Sequence, residues 1–264
     1  MDPLPDSFLQ KLVILLNNEN TIGVTMPGSF ARGESSLYSD IDLWHYVLQM
    51  PPDETVPYHV QFVDGYMVSI KLITLKEEYT HLRNPEQAIW AIPGLRQSRI
   101  LLDKDGSIAT LKEAAVKATW GPLQTAANAY ASWSLSANGE EIHKILDGLA
   151  RQNESKILYA VWSLTRGLAD AMLVQSGALV PSENAYIDRV QEAAGRTSDW
   201  TCLFRIAIGL DPLPSTKNPA FVGYGIACLG LYRKTVAILQ HILLPEDATV
   251  VNRTLEIITE AGYL

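Results

Sequence analysis

The stretch GSFARGESSLYSDIDLWHY, residues 28–46, decides how the rest of this chain is read. A short β-leaning run, TIGVTM at 21–26, delivers the chain to Pro27-Gly28. Glycine at 28 permits dihedrals that other residues resist and a close approach of backbone to ligand. Ser29 adds a hydroxyl and an N–H at the start of an expected short helix, where phosphate oxygens are favoured. Further on, Asp40 and Asp42 stand two apart in an expected strand over residues 40–48. The two-residue period of a strand turns both carboxylates to one face and sends Ile41 and Leu43 to the other, into a core. Two carboxylates side by side repel each other unless a cation lies between them. A hard divalent ion such as Mg²⁺, its shell completed by phosphate oxygens, suits such a pair. Each element alone is commonplace: Gly-Ser before a helix is usually a turn and a cap, and an Asp at a strand edge is usually solvated. A chance match to the whole arrangement is on the order of a few per cent at average composition, so the joint pattern carries the reading.

Working outward, residues 59–64 and 66–75 are two β-type runs meeting at Asp64-Gly65, a strong hairpin signal. Upstream, a helix is expected from an N-cap at Asp6 or Ser7 through LQKLVILLNN. Downstream come a loop at 51–57, helical pieces at 76–83 and 85–91, a strand at 99–102, a turn at 103–106 and a helix at 108–119. After Trp120-Gly121-Pro122 the β-branched runs thin out and helical periodicity takes over. Helices are expected at 123–137, 139–150, 154–177, 183–195, 199–209, 219–243 and 247–261, with Pro212 and Pro214 breaking the run before the sixth. The fold class is therefore α+β: a mixed sheet with flanking helices over residues 1–121, then an α-helical bundle over residues 122–264. A small-molecule pocket is expected where two such domains meet.

The chain has 264 residues, 47% of them hydrophobic and 19% charged, with a net charge of −8. That composition fits a globular protein with a proper core. Its acidic balance does not favour broad binding to nucleic acid, which runs on Lys and Arg contacts to phosphate. The N-terminus lacks the basic and apolar regions of a secretory signal. The longest apolar stretch, 221–244, has Arg233 and Lys234 in its middle and reads as a buried helix rather than a membrane span. The expectation is a cytoplasmic protein with no membrane partner; a homodimer is left open. Cys202 and Cys228 are expected as buried reduced thiols, and the five histidines show no metal-ligand spacing. The six tryptophans are expected mainly as core anchors, with Trp44 sharing a face with the Asp pair.

Residues 28–43 resemble the signature of the polymerase-β-type nucleotidyltransferase superfamily: Gly-Ser, a spacer, then Asp-x-Asp. Ala31-Arg32-Gly33 and the run Ser39-Asp40-Ile41-Asp42-Leu43 are similar to the bacterial antibiotic nucleotidyltransferase branch, which includes kanamycin, streptomycin and lincosamide enzymes. The resemblance implies a nucleotidyltransferase-fold sheet and transfer of a nucleoside monophosphate, usually AMP from ATP, to a hydroxyl of a small molecule, an aminoglycoside-like antibiotic among the candidates. It implies that Gly28, Ser29, Arg32 and Ser39 serve the nucleotide, that Asp40 and Asp42 bind Mg²⁺, and that antibiotic resistance is one setting for the activity.

One position departs from that pattern. The family places a third carboxylate on the strand after the hairpin, and the residue here is Ser69. Asp64 is the nearest acid on the hairpin and is the candidate for the missing catalytic group, although the Asp-Gly turn alone accounts for it. Glu77 and Glu78 fall in the first turn of a helix, where acids are favoured anyway. Glu140, Glu141 or Asp147 of the helical region are other sources. Arg166 on the 154–177 helix is weighed between a salt bridge and a phosphate contact. The alternative reading is a regulatory, antitoxin-like module that binds nucleotide without transferring it.

Overall fold

The computed structural model describes residues 4–52, 57–213 and 218–263. Residues 53–56 of the loop expected at 51–57, and Pro214, lie outside the described residues. The chain forms two compact units, one of residues 1–120 and 179–183, the other of 121–178 and 184–264.

The first unit is built on a five-stranded mixed sheet in the order β3-β4-β2-β1-β5. Its strands are β1 (Thr21–Met26), β2 (Ile41–Val47), β3 (Tyr58–Val63), β4 (Tyr66–Thr74) and β5 (Arg99–Asp103). β2 pairs antiparallel with β1 and parallel with β4, with Asp42 opposite Ser69. The β3–β4 hairpin turns at Asp64-Gly65, where both residues have positive φ, 48° and 84°. Two such residues match the right-handed twist of the flanking strands.

Helix α1 (Asp6–Leu16) covers one face of the sheet. Its Phe8, Leu9 and Leu12 pack with Val24, Ile41, Leu43 and Val68. Pro5 occupies the N-cap position and no side chain caps the helix, so neither Asp6 nor Ser7 plays the capping part expected of them. The other face carries α3 (Leu75–His81), α4 (Pro85–Gln97) and α5 (Ser107–Lys117), with Tyr46, Ile73, Leu95, Ile108 and Leu111 in its core. Asp42, Trp44 and Tyr46 share this second face by alternation.

α4 runs on past the expected end at 91, through Pro93 to Gln97. A proline inside a helix removes the N–H that would bond four residues back, here to the Ile89 carbonyl. That carbonyl is not wasted: the N–H of Val180 takes it at 2.8 Å. Val180 is buried, and this bond ties residues 179–183, expected within the helical region, to the sheet unit.

The second unit consists of α6 (Gln124–Ala137), α7 (Gly139–Arg151), α8 (Glu154–Ser176), α9 (Tyr186–Ala194), α10 (Asp199–Ala207), α11 (Ala220–Leu239) and α12 (Pro245–Glu260). α8 packs against α6, α7 and α11. Asn153 caps its start and Gly177, at φ 69°, ends it. Buried polar groups are satisfied across helices: Trp200 Nε1 donates to Thr235 at 2.7 Å, and Tyr232 donates to the Leu135 carbonyl at 3.0 Å. Arg233 and Lys234 point outward from α11, and Lys234 pairs with Asp199 at 2.7 Å.

Two expectations about side chains need correction. Cys228 is buried, but α10 turns Cys202 outward because Trp200, Thr201 and Phe204 occupy its inner face. Trp133 and Trp162 are 58% and 70% exposed, so they do not anchor a core.

Thr74 and Glu77 form a capping box at the start of α3. The Thr74 hydroxyl accepts from the Glu77 N–H at 3.2 Å, and the Glu77 carboxylate accepts from the Thr74 N–H at 2.8 Å. The Thr74 N–H and, beside it, the Thr74 hydroxyl both donate to that carboxylate and hold it below its usual range. Thr74→Ala should lower stability by about 1 kcal/mol, read from the urea midpoint. In Glu77→Gln the loss should be full at pH 7 and shrink as pH falls through the depressed carboxyl range, because a depressed carboxyl stabilises only while ionised.

Candidate functional site

The site is assembled where β1 ends and β2 begins. β1 hands the chain through Pro27 to α2 (Gly28–Arg32), a short helix that packs on β2 and α4. Gly28 has φ 79°, in the left-handed region that favours glycine. Position 28 carries a second restriction. A β-carbon there would overlap Oδ2 of Asp42, so the carboxylate lies directly against the bare glycine. The sequence signal of glycine before an Asp-x-Asp is thus a steric pairing between positions 28 and 42.

Asp42 is half-buried at the second position of the described strand, while Asp40 precedes it in the lead-in to β2. Across the parallel pair, the buried Ser69 hydroxyl donates to Asp42 Oδ1 at 2.8 Å. Burial pushes the Asp42 carboxyl up; Ser69 counteracts this, the Asp40 charge adds to it, the Arg32 charge opposes it, and the Glu183 charge raises it again. A carboxylate pushed up by burial and by like charge is one whose ionised form lacks a counter-charge. The opposing charge comes from Arg32, whose Nε is engaged by Glu34 at 2.7 Å.

This supplies the test of whether Mg²⁺ suits the residues present. Asp40 makes no hydrogen bond or ion pair among the described residues, and Asp42 has Ser69 alone. Two oxygen donors short of positive charge, beside a glycine that clears space, match a hard cation bound by one or two carboxylates and substrate phosphate. No group of three or more His, Cys, Asp or Glu side chains that could hold a metal occurs among the described residues. The protein's share of such a site is therefore the Asp pair.

The other expected site residues fall in different places. Ser29 lies beside Gly28 on α2, and its hydroxyl has no hydrogen bond among the described residues. Arg32 ends the same helix, largely buried. Ser39 is turned inward on its own loop: its hydroxyl accepts from the Ser36 N–H at 2.9 Å, and its N–H donates to the Ser36 carbonyl. Asp64 is not brought to the pair. It sits at the hairpin tip, five residues before Ser69, roughly 16 Å along the strand at ~3.3 Å per residue. There it binds Lys11 at 2.6 Å.

Trp44 packs edge-on into α4, its ring 2.7 Å from where a β-carbon on Gly94 would stand, with Lys71 above it at 5.4 Å. It fills the seam between sheet and helix. In the second unit, Arg166 pairs with Asp170 at 3.0 Å and lies over Tyr186. Lys144 bridges Glu140 and Glu141, while Asp147 is held by Arg151 and Lys156. These acids already have counter-charges. Glu183, three residues past the Val180 anchor, carries a charge that adds to the upward push on the Asp42 carboxyl.

No family model matches the chain, and no curated protein matches it. Among solved structures it is similar to a nucleotidyltransferase-like protein from Exiguobacterium sibiricum 255-15, at 13% identity and a TM-score of 0.47, over 97% of this chain and 78% of that one. The site therefore rests on the geometry of Gly28, Asp40, Asp42 and Ser69.

Two outcomes test this geometry. A raised carboxyl destabilises the fold once ionised, so the cost is absent below the ordinary value of 3.8 and grows as pH rises through the raised range. Asp42→Asn should therefore raise the melting temperature at pH 7 without divalent ions, and the gain should vanish near pH 3.8. Gly28→Ala must displace the Asp42 carboxylate. It should abolish Mn²⁺ binding measured by electron paramagnetic resonance, and retained wild-type affinity would refute the steric pairing.

Proposed function

We propose that the protein transfers a nucleoside monophosphate, AMP from ATP, to a hydroxyl of a small molecule, with Asp40 and Asp42 as the residues that hold Mg²⁺. The observation that carries this reading is the Asp42 carboxylate seated against bare Gly28, beside Asp40, with too little positive charge to balance the pair. When bound, Mg²⁺ supplies charge neutralisation and polarisation of the phosphoryl oxygens.

The chain's own residues then act by positioning and electrostatics, the main sources of rate in phosphoryl chemistry. The Gly28 N–H and the Ser29 hydroxyl, on the short helix next to the acids, would donate to phosphate oxygens. Arg32 adds positive charge on the same short helix. Ser69 orients Asp42 by donating to one oxygen, leaving the other toward Gly28. Ser39 contributes indirectly, by closing the 36–39 turn that leads into Asp40. An acceptor bearing amino groups, such as an aminoglycoside, suits a chain of net charge −8. That acceptor class would make antibiotic resistance its setting. The proposal involves no nucleic acid or membrane.

Ser69 also favours a second reading. A serine where the family carries its third acid is neutral and a weak cation ligand, which suits a module that binds nucleotide for regulation without transfer.

The deciding experiment follows pyrophosphate from Mg²⁺–ATP with a panel of hydroxylated acceptors, kanamycin among them. Acceptor-dependent release, lost by about 10³-fold or more in Asp42→Ala, supports the transferase. Tight ATP binding with no release from any acceptor supports the regulatory reading. No ATP binding at all overturns both.

A further inference from the structure

The sheet of the first unit ends in two edges of different character. At β5, a charged residue stands at each end, Arg99 and Asp103, and the pairing with β1 shifts register between Val24 and Thr25. Charges and bulges are devices that keep a sheet edge from pairing further. β3 has neither. Tyr58–Val63 contains no Asp, Glu, Lys, Arg, Pro or Gly, and its six pairs with β4 run without a shift. Tyr58, Val60 and Phe62 are 51%, 52% and 70% exposed. Met67, opposite Phe62, is exposed as well.

The backbone of β3 has a defined direction. The Leu72 N–H donates to the Pro57 carbonyl at 2.8 Å, so Pro57 turns its carbonyl toward β4. In an antiparallel pair, alternate residues bond the neighbouring strand and the residues between them point away. Tyr58, Val60 and Phe62 therefore turn both N–H and C=O outward from the sheet, where no strand among the described residues meets them. The side chains of the same three residues share one face. Val60 stands opposite Ser69, which stands opposite Asp42, so they continue the face that carries Asp42.

Outward backbone groups and an apolar row thus coincide at three evenly spaced positions. Antiparallel pairing of β3 with a second β3, about a two-fold axis at Val60, sets Val60 against the partner's Val60 and Tyr58 against the partner's Phe62. This is the register in which the three residues pair wholly among themselves, and each pair exchanges two hydrogen bonds. Two copies of a chain with net charge −8 repel each other. β3 offers them a strand without acids at which to meet. A covered aromatic side chain buries about 150–250 Å². Two exposed rings, Val60, Met67 and the backbone edge from each copy bring the contact to roughly 1,000 Å² in total, the lower limit for a specific interface.

We propose that the chain forms a two-fold dimer through β3, joining two five-stranded sheets into one continuous sheet. Such an interface is isologous: the same patch serves both copies, and pairing closes it to further addition. The dimer does not depend on which reaction the protein performs.

Sedimentation equilibrium from about 1 to 100 µM tests this, with melting temperatures to confirm that each variant is folded. The wild type should reach twice the chain mass within that range. Val60→Pro should weaken association by about tenfold or more, because it removes an outward N–H while leaving the ladder to β4 whole; edge strands tolerate proline at such positions. Tyr58→Lys and Phe62→Glu should each weaken it similarly. The double variant Tyr58→Lys/Phe62→Glu should associate more tightly than either single one, because the register sets each new lysine opposite the partner's new glutamate. A wild type that stays monomeric at the highest concentration overturns the proposal, as do assemblies larger than a dimer. A dimer that both single charge variants leave unchanged places the interface elsewhere and overturns it too. A double variant no tighter than the single ones refutes the two-fold register at Val60.

Discussion

Residue 28 has no side chain, and the carboxylate of Asp42 occupies the space one would need. Much of the site follows from this contact. It holds the turn after β1 close to the start of β2, and with it α2, Ser29 and Arg32. It also keeps Asp42 half-buried, where ionisation is costly. Ser69 offsets only part of that cost by donating one hydrogen bond.

The sheet makes the contact possible. β2 lies in the middle, with β1 antiparallel on one side and β4 parallel on the other. Ile41 and Leu43 go into the α1 core, which forces Asp42 to the opposite face. On that face the packing of Trp44 on Gly94 sets the distance between sheet and α4. A slip of one residue in β2 would bury the acids under α1 and expose Ile41, so the apolar pattern fixes the site as firmly as the acids do.

Much of the first unit was legible because its signals are local. The Asp64-Gly65 turn needs only two residues that tolerate positive φ. Glu77 and Glu78 fall in the first turn of α3, where acids are favoured. The alternation of Asp42 with Ile41 and Leu43 can be counted on the page. The failures share the opposite property. The helix expected to end at 91 runs on through Pro93, and a distant N–H satisfies the carbonyl that proline strands. Cys202 and Trp162 look like core residues by type, yet helix rotation turns them outward. Asp64 looks near the Asp pair by element order, but strand length carries it to the far tip.

The sequence by itself determined the α+β class, the strand that presents Asp42 and the need for glycine at 28, because periodicity and steric tolerance are properties of short segments. Only the tertiary structure decided that Ser69 would meet Asp42 across a parallel pair, and that Val180 would anchor residues 179–183 on α4. Strand register and the anchoring of a returning segment depend on which distant groups satisfy one another's hydrogen bonds, and no local pattern encodes that choice.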